Sequence, residues 1–183
     1  CPDALTLRRY DRFAKSGAGL IWAEAVAVVE EGRANPRQLW LHEENLVAFQ
    51  KFVADIKETC MKKNGFEPVV IMQATHSGRY SKPHGTPAPL IAYNNPIFEG
   101  DNPIPADRIL SDDYLMALEE KFGEAAKLAE RAGFDGVDIK CCHRYLNSEL
   151  LSAYTREGAF GGSLENRTRL LRHGVKNAMG ATG

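Results

Sequence analysis

Residues 112–145, DDYLMALEEKFGEAAKLAERAGFDGVDIKCCHRY, hold one complete helix-to-strand unit and the polar turn that follows it. Leu115, Leu118, Phe122, Ala125 and Ala129 recur every three or four residues, which predicts a helix with one apolar side over 112–132. Gly133 supplies the turn, and the alternation in Asp135-Gly-Val-Asp-Ile-Lys140 predicts a strand over 135–140. In that strand Asp138 and Lys140 share one face, and Val137 and Ile139 the other. A Lys directed into the inner face of a sheet needs a partner, and Asp138 is the obvious candidate for a structural ion pair.

The same unit recurs upstream. Leu46, Phe49, Val53, Ile56 and Cys60 give an amphipathic helix over 44–63, followed by Gly65, Pro68 and the apolar run Val69-Val-Ile-Met-Gln-Ala74. Before it, Leu5, Leu7, Tyr10, Phe13 and Ala14 mark a helix over 4–16 with Gly17 as its stop, and Gly19-Leu-Ile-Trp-Ala-Glu-Ala25 reads as another strand. Both apolar runs are expected to be buried on both faces, as parallel strands are. A last helix spans 164–179, with Ser163 as N-cap and Glu165 at its positive end. Helices alternating with strands predict right-handed βαβ units and a parallel sheet, an α/β fold. Residues 76–112 hold six of the nine prolines and no regular period, so they form a lid or substrate-binding loop, or a disordered insertion.

Composition narrows the partners. The chain has 183 residues, 44% of them hydrophobic, and 23 Lys+Arg against 24 Asp+Glu give a formal charge of −1. One compact domain is the default at that length. The interspersed charge offers no footprint for a nucleic-acid backbone or an anionic membrane surface. No run approaches the roughly 18 apolar residues of a membrane helix, and the start lacks the pattern of a signal peptide. Four cysteines without Cys-x-x-Cys spacing argue against a disulfide scaffold or a structural metal. A reducing, cytoplasmic setting is the expectation. The missing initiator Met and an ending that caps nothing read as a piece of a longer chain.

In parallel α/β folds ligands sit at the carboxyl ends of the strands, which directs attention to Ala25, to Gln73–Arg79 and to Lys140–Tyr145. Gln73 can donate and accept, and His76 and Arg79 add polar heads. The structural alternative is that Gln73 and His76 satisfy loop backbone while Arg79 pairs with an acidic residue.

Five landmarks now stand in order: Glu24-Ala25 followed by Glu31-Gly32-Arg33; Gln73-x-x-His76-x-Gly78-Arg79; Ala132-Gly133-Phe134-Asp135-Gly136-Val137-Asp138-Ile139; Tyr145-Leu146; and Gly161-Gly162-Ser163-Leu164-Glu165-Asn166-Arg167. Together they resemble the old yellow enzyme family of FMN-dependent ene-reductases, also called NADH:flavin oxidoreductases. The resemblance implies a (β/α)8 TIM barrel, of which residues 1–183 form a partial domain covering about the second to fourth βα units. It implies FMN at the carboxyl ends of the strands, NAD(P)H as reductant and a small-molecule substrate. Ala25 would contact the flavin through its backbone and Gln73 through its side-chain amide. Tyr145 would protonate carbon, with His143 and Lys140 binding the group that activates the substrate. The family's phosphate and ribityl contacts would lie outside these residues.

Most members carry His-x-x-His-x-Tyr or His-x-x-Asn-x-Tyr where this chain has Lys140-Cys141-Cys142-His143-Arg144-Tyr145. A Lys is a rotatable point charge without an acceptor, suited to a carboxylate or a developing enolate rather than a simple unsaturated ketone. A dienoyl-CoA reductase or amine dehydrogenase branch is the alternative within the family, and a non-catalytic barrel fragment the alternative outside it. Other features read as structural. Gly161-Gly162-Ser163 caps a helix, Asn166 and Arg167 tie that helix to the barrel rim, Cys141 and Cys142 pack, and Trp22 and Trp40 pack or approach the ligand. His42, His84 and His173 lie on the surface.

Overall fold

The computed structural model describes all 183 residues. Helix α1 (Ala4–Lys15) starts where Asp3 accepts hydrogen bonds from the amides of Leu5 and Thr6, and it buries Thr6, Tyr10 and Ala14 at four-residue spacing. Strand β1 (Leu20–Ala27) follows. Helix α2 (Leu46–Asn64) ends on Gly65, whose φ of 84° lets its N–H reach back to the Met61 carbonyl. Strand β2 (Val69–Thr75) leads into the long loop, which contains the single turn of α3 (Pro96–Glu99). Helix α4 (Asp112–Arg131) is capped by Ser111 and carries Asp112 and Asp113 in its first turn. Strand β3 (Gly136–Ile139) precedes α5 (Leu146–Leu150), α6 (Leu164–Arg167) and α7 (Arg169–Ala181).

The three strands are parallel and lie in the order β1-β2-β3, so each βα unit adds the next strand on the same side without a reversal. Ile21, Ala23, Val70, Met72 and Ala74 point to the helices and join Phe49, Phe52, Ile56, Leu118 and Phe122 in one core of 32 buried residues. Tyr10 and Phe52 meet edge to face at 4.9 Å within it. Val137 and Ile139 pack against this core, so Asp138 takes the other face, as its spacing predicts.

Several expectations need correction. The strands are covered on one face only: Leu20, Trp22 and Val69 are 53%, 51% and 46% exposed, because the long helices pack on the opposite side. Trp22 is therefore no packing residue. The segment 76–112 is neither a disordered insertion nor loosely attached, since Ile91 and Ala92 are fully buried and Ile91 bridges Ile109. The last helix is interrupted at Thr168, where α6 ends and α7 begins, and the Thr168 amide and hydroxyl both donate to the carbonyl of Leu164. Ser163 does cap its first turn. Arg167 reaches the carbonyls of Gly162 and Leu151, tying that helix to the preceding loop.

Candidate functional site

Register brings the first candidates together. Ala25 pairs with Gln73 and Gln73 with Asp138, so three residues stand in a row across the carboxyl ends of β1, β2 and β3. A bulge makes this alignment possible. The ladder skips Glu24 between Ala23 and Ala25, and Glu24 is held aside by Arg9 and by its amide bond to the Tyr10 hydroxyl. The carbonyl of Ala25 accepts from the side-chain amide of Gln38 at 3.1 Å. Gln73 Nε2 donates to Asp138 Oδ2 at 2.6 Å, which leaves the Gln73 carbonyl oxygen free to accept.

That bond decides the fate of Lys140. Its expected partner, Asp138, is occupied by Gln73 and, at 3.4 Å, by the indole nitrogen of Trp22. The ion pair between Asp138 and Lys140 is therefore absent. Lys140 is buried, 8% exposed, and its ammonium lies 4.1 Å above the centre of the Tyr145 ring, with no carboxylate against it. Its backbone is fixed at both ends: the amide bonds Ala74, and the carbonyl accepts from Asn147.

Between Lys140 and Tyr145 the chain makes a tight reversal. The Tyr145 amide donates to the Cys142 carbonyl at 3.1 Å, and the two central residues, His143 and Arg144, have φ of 60° and 54°. Two successive left-handed residues belong to a type I′ geometry and cost about 1–2 kcal/mol each for non-glycine side chains. Contacts on Arg144 hold the conformation. Its guanidinium stacks 4.2 Å from the Phe98 ring of α3 and bonds the Tyr80 hydroxyl. The reversal places the His143 ring edge to face with Tyr145 at 6.2 Å, while the Tyr145 hydroxyl forms no hydrogen bond within the chain. Cys142 is exposed on this turn and Cys141 half-buried, so only the latter packs. Ala25 and Tyr145 line a common cleft of about 440 Å³ with Arg9, Glu24, Arg37 and Gln38.

A buried scaffold supports the turn. Arg79 joins two buried carboxylates, Glu99 of α3 and Glu149 of α5, and Glu149 also accepts from the Ala92 amide. Burial pushes the Glu149 carboxyl above its usual range against the pull of Arg79. The structural alternative for Arg79 is thus the one observed. His76 accepts the Gly78 amide at Nδ1, which leaves the proton on Nε2 to donate to the Tyr114 hydroxyl, and Tyr114 donates to Glu31. Full burial lowers the His76 pKa to about 4. Gly78 is required here: at φ 58° an added Cβ would stand 2.9 Å from the Leu146 amide nitrogen, beside the hydrogen bond from that amide to the His76 carbonyl.

All five candidates, Ala25, Gln73, Lys140, His143 and Tyr145, therefore gather at one end of the sheet. Sequence reasoning missed Gln38, Tyr80, Phe98 and Asn147, which lie in segments without a period. It also assigned Asp138 to the wrong neighbour. Of the single histidines, His84 is exposed, His42 stacks on the half-buried Trp40 at 4.3 Å, and His173 contacts Glu119 at 2.9 Å.

Comparison with known proteins gives the family and the fold. The family model described as NADH:flavin oxidoreductase / NADH oxidase matches residues 4–183. The NADPH dehydrogenase of Clostridium acetobutylicum is 34% identical over 158 residues, which is 85% of this chain and 44% of that protein. Among solved structures, the old yellow enzyme homologue from Zymomonas mobilis superposes with a TM-score of 0.79 at 25% identity, over 100% of this chain and 52% of that one. A 2-naphthoyl-CoA reductase superposes at 0.81 with 23% identity, over 97% and 28%. The chain thus spans about half the length, or less, of the proteins it matches, and its three βα units are part of a TIM barrel. With the family model covering nearly every residue, and a relative above 30% identity over most of the chain, the chain belongs to the NADH:flavin oxidoreductase family of oxidoreductases, which use FMN and NAD(P)H.

Proposed function

We propose that residues 1–183 are a partial barrel domain carrying the flavin-ring side and the substrate side of an enzyme that uses NAD(P)H to reduce an activated C=C bond. The observation that supports this most is the in-register row Ala25, Gln73, Asp138, continued by the turn that presents His143 and Tyr145. The residues fit a flavin ring. Gln73 is pinned through one amide hydrogen, so its free oxygen and second hydrogen can match the alternating N–H and C=O of the ring's pyrimidine edge. Ala25 keeps the neighbouring position small, and Gln38 fixes its carbonyl.

When bound, reduced FMN supplies a hydride to the substrate. Tyr145 supplies the proton: its hydroxyl makes no hydrogen bond within the chain, and the Lys140 ammonium 4.1 Å from its ring centre helps to hold the ring in place. His143 and Lys140 hold the activating group, and the Arg79 scaffold keeps the turn in place. The four unpaired cysteines suit a reducing compartment, and a cytoplasmic setting is part of this proposal; no helix of the structure is long and apolar enough to cross a membrane.

The test uses the full-length protein loaded with FMN. NAD(P)H-dependent reduction of an enone is expected, and Tyr145→Phe is expected to slow the oxidative half-reaction about a hundredfold or more. An unchanged rate in that variant would remove Tyr145 as proton donor.

A further inference from the structure

Lys140 is the one feature of the turn that reduction of a simple enone does not use well. A neutral donor suffices for a ketone oxygen, whereas an ammonium at the end of a largely buried stem, with no carboxylate of the chain against it, is matched best by an opposite charge. Within these residues the neighbouring carboxylates are already engaged. Asp138, two residues away on the same face, is bonded to Gln73 and Trp22. Glu149 and Glu99 are held by Arg79, and Glu24 by Arg9. What Lys140 meets instead is the face of Tyr145, a weak substitute that leaves the three ammonium hydrogens without acceptors. The two residues next along the turn toward Tyr145 that carry polar rings or charge, His143 and Arg144, are donors or cations as well.

Resting on the reading of the site as a C=C reductase, we propose that the substrate carries a carboxylate conjugated to the double bond, and that Lys140 is its counter-ion, making the enzyme selective for 2-enoates over the corresponding esters and ketones. The carboxylate would take the place that Asp138 vacates and accept from the Lys140 ammonium, with His143 as second donor. The charge pair also answers a chemical problem. A carboxylate activates a conjugated C=C poorly because its own negative charge opposes hydride addition, and an adjacent cation offsets that charge as the electron-rich intermediate forms. Hydride adds to the β carbon, and the α carbon takes the Tyr145 proton, so the product is the saturated acid and the phenol is reprotonated from solvent.

Calorimetric titration with three compounds of one skeleton, cinnamate, methyl cinnamate and benzalacetone, tests this on the full-length protein with and without FMN. Wild type is expected to bind cinnamate about tenfold or more tightly than its methyl ester. Lys140→Met, which keeps the volume and removes the charge, is expected to abolish that preference, and Lys140→Arg to restore part of it. Equal affinity of wild type for cinnamate and the ester, or a Lys140→Met variant that weakens all three compounds alike, would overturn the assignment. A protein that holds FMN and reduces benzalacetone but shows no preference for cinnamate refutes the carboxylate while leaving the reductase reading intact. One that binds no FMN but prefers cinnamate through Lys140 does the opposite.

Discussion

His76 couples stability to pH. Its imidazole is fully buried as the neutral form, with one nitrogen accepting from Gly78 and the other donating to Tyr114. The folded pKa of about 4 lies below the ordinary value of 6.5, so the unfolded chain binds the extra proton first as pH falls. The stability that neutral His76 contributes is complete above pH 6.5 and is lost on descending toward pH 4. Urea unfolding between pH 7 and 4.5 is expected to show wild type losing up to about 1.4 kcal/mol per pH unit relative to His76→Asn, which keeps an acceptor for Gly78 but does not titrate. Parallel curves for the two proteins would show that this histidine charges as easily folded as unfolded.

Among the elements, the loop after β2 and the turn after β3 act as one unit, joined at Gly78 against Leu146 and at Arg79 between Glu99 and Glu149. Gly78→Ala combines a left-handed residue with a clash against backbone and is expected to cost about 1–3 kcal/mol in a thermal or urea melt. Arg79→Met leaves two buried carboxylates without a cation and is expected to cost about 3–5 kcal/mol, most of it recovered in the double variant with Glu149→Gln if mutual burial is the cause. The elements themselves were legible in the sequence, because the helices keep a period of 3.6 and the strands stand out as short apolar runs between turn residues, although the open face of β1 and β2 was not. The register was not. Nothing in Ala23-Glu24-Ala25 announces the bulge that brings Ala25 beside Gln73, and the spacing of Asp138 and Lys140 suggested a pair that the shorter reach from Gln73 pre-empts. Phe98, a residue of an irregular loop, became part of the turn's support only through folding.

On the scale of the whole molecule, the sheet has one face sealed by helices and one face bearing Leu20, Trp22, Val69 and the polar row that ends in Gln73 and Asp138. Length and composition suggested an ordinary compact domain, whereas consecutive strands without a reversal and a half-length match to the relatives make it part of a barrel. We propose that the carboxyl end of this sheet receives the flavin ring, with Gln73 as its side-chain anchor. Fluorescence titration of the full-length protein with FMN measures this most directly. Saturable binding of one FMN per chain is expected, weakened about fivefold or more in Gln73→Leu by loss of its hydrogen bonds. Absence of saturable binding, or equal affinity in the two proteins, would contradict it.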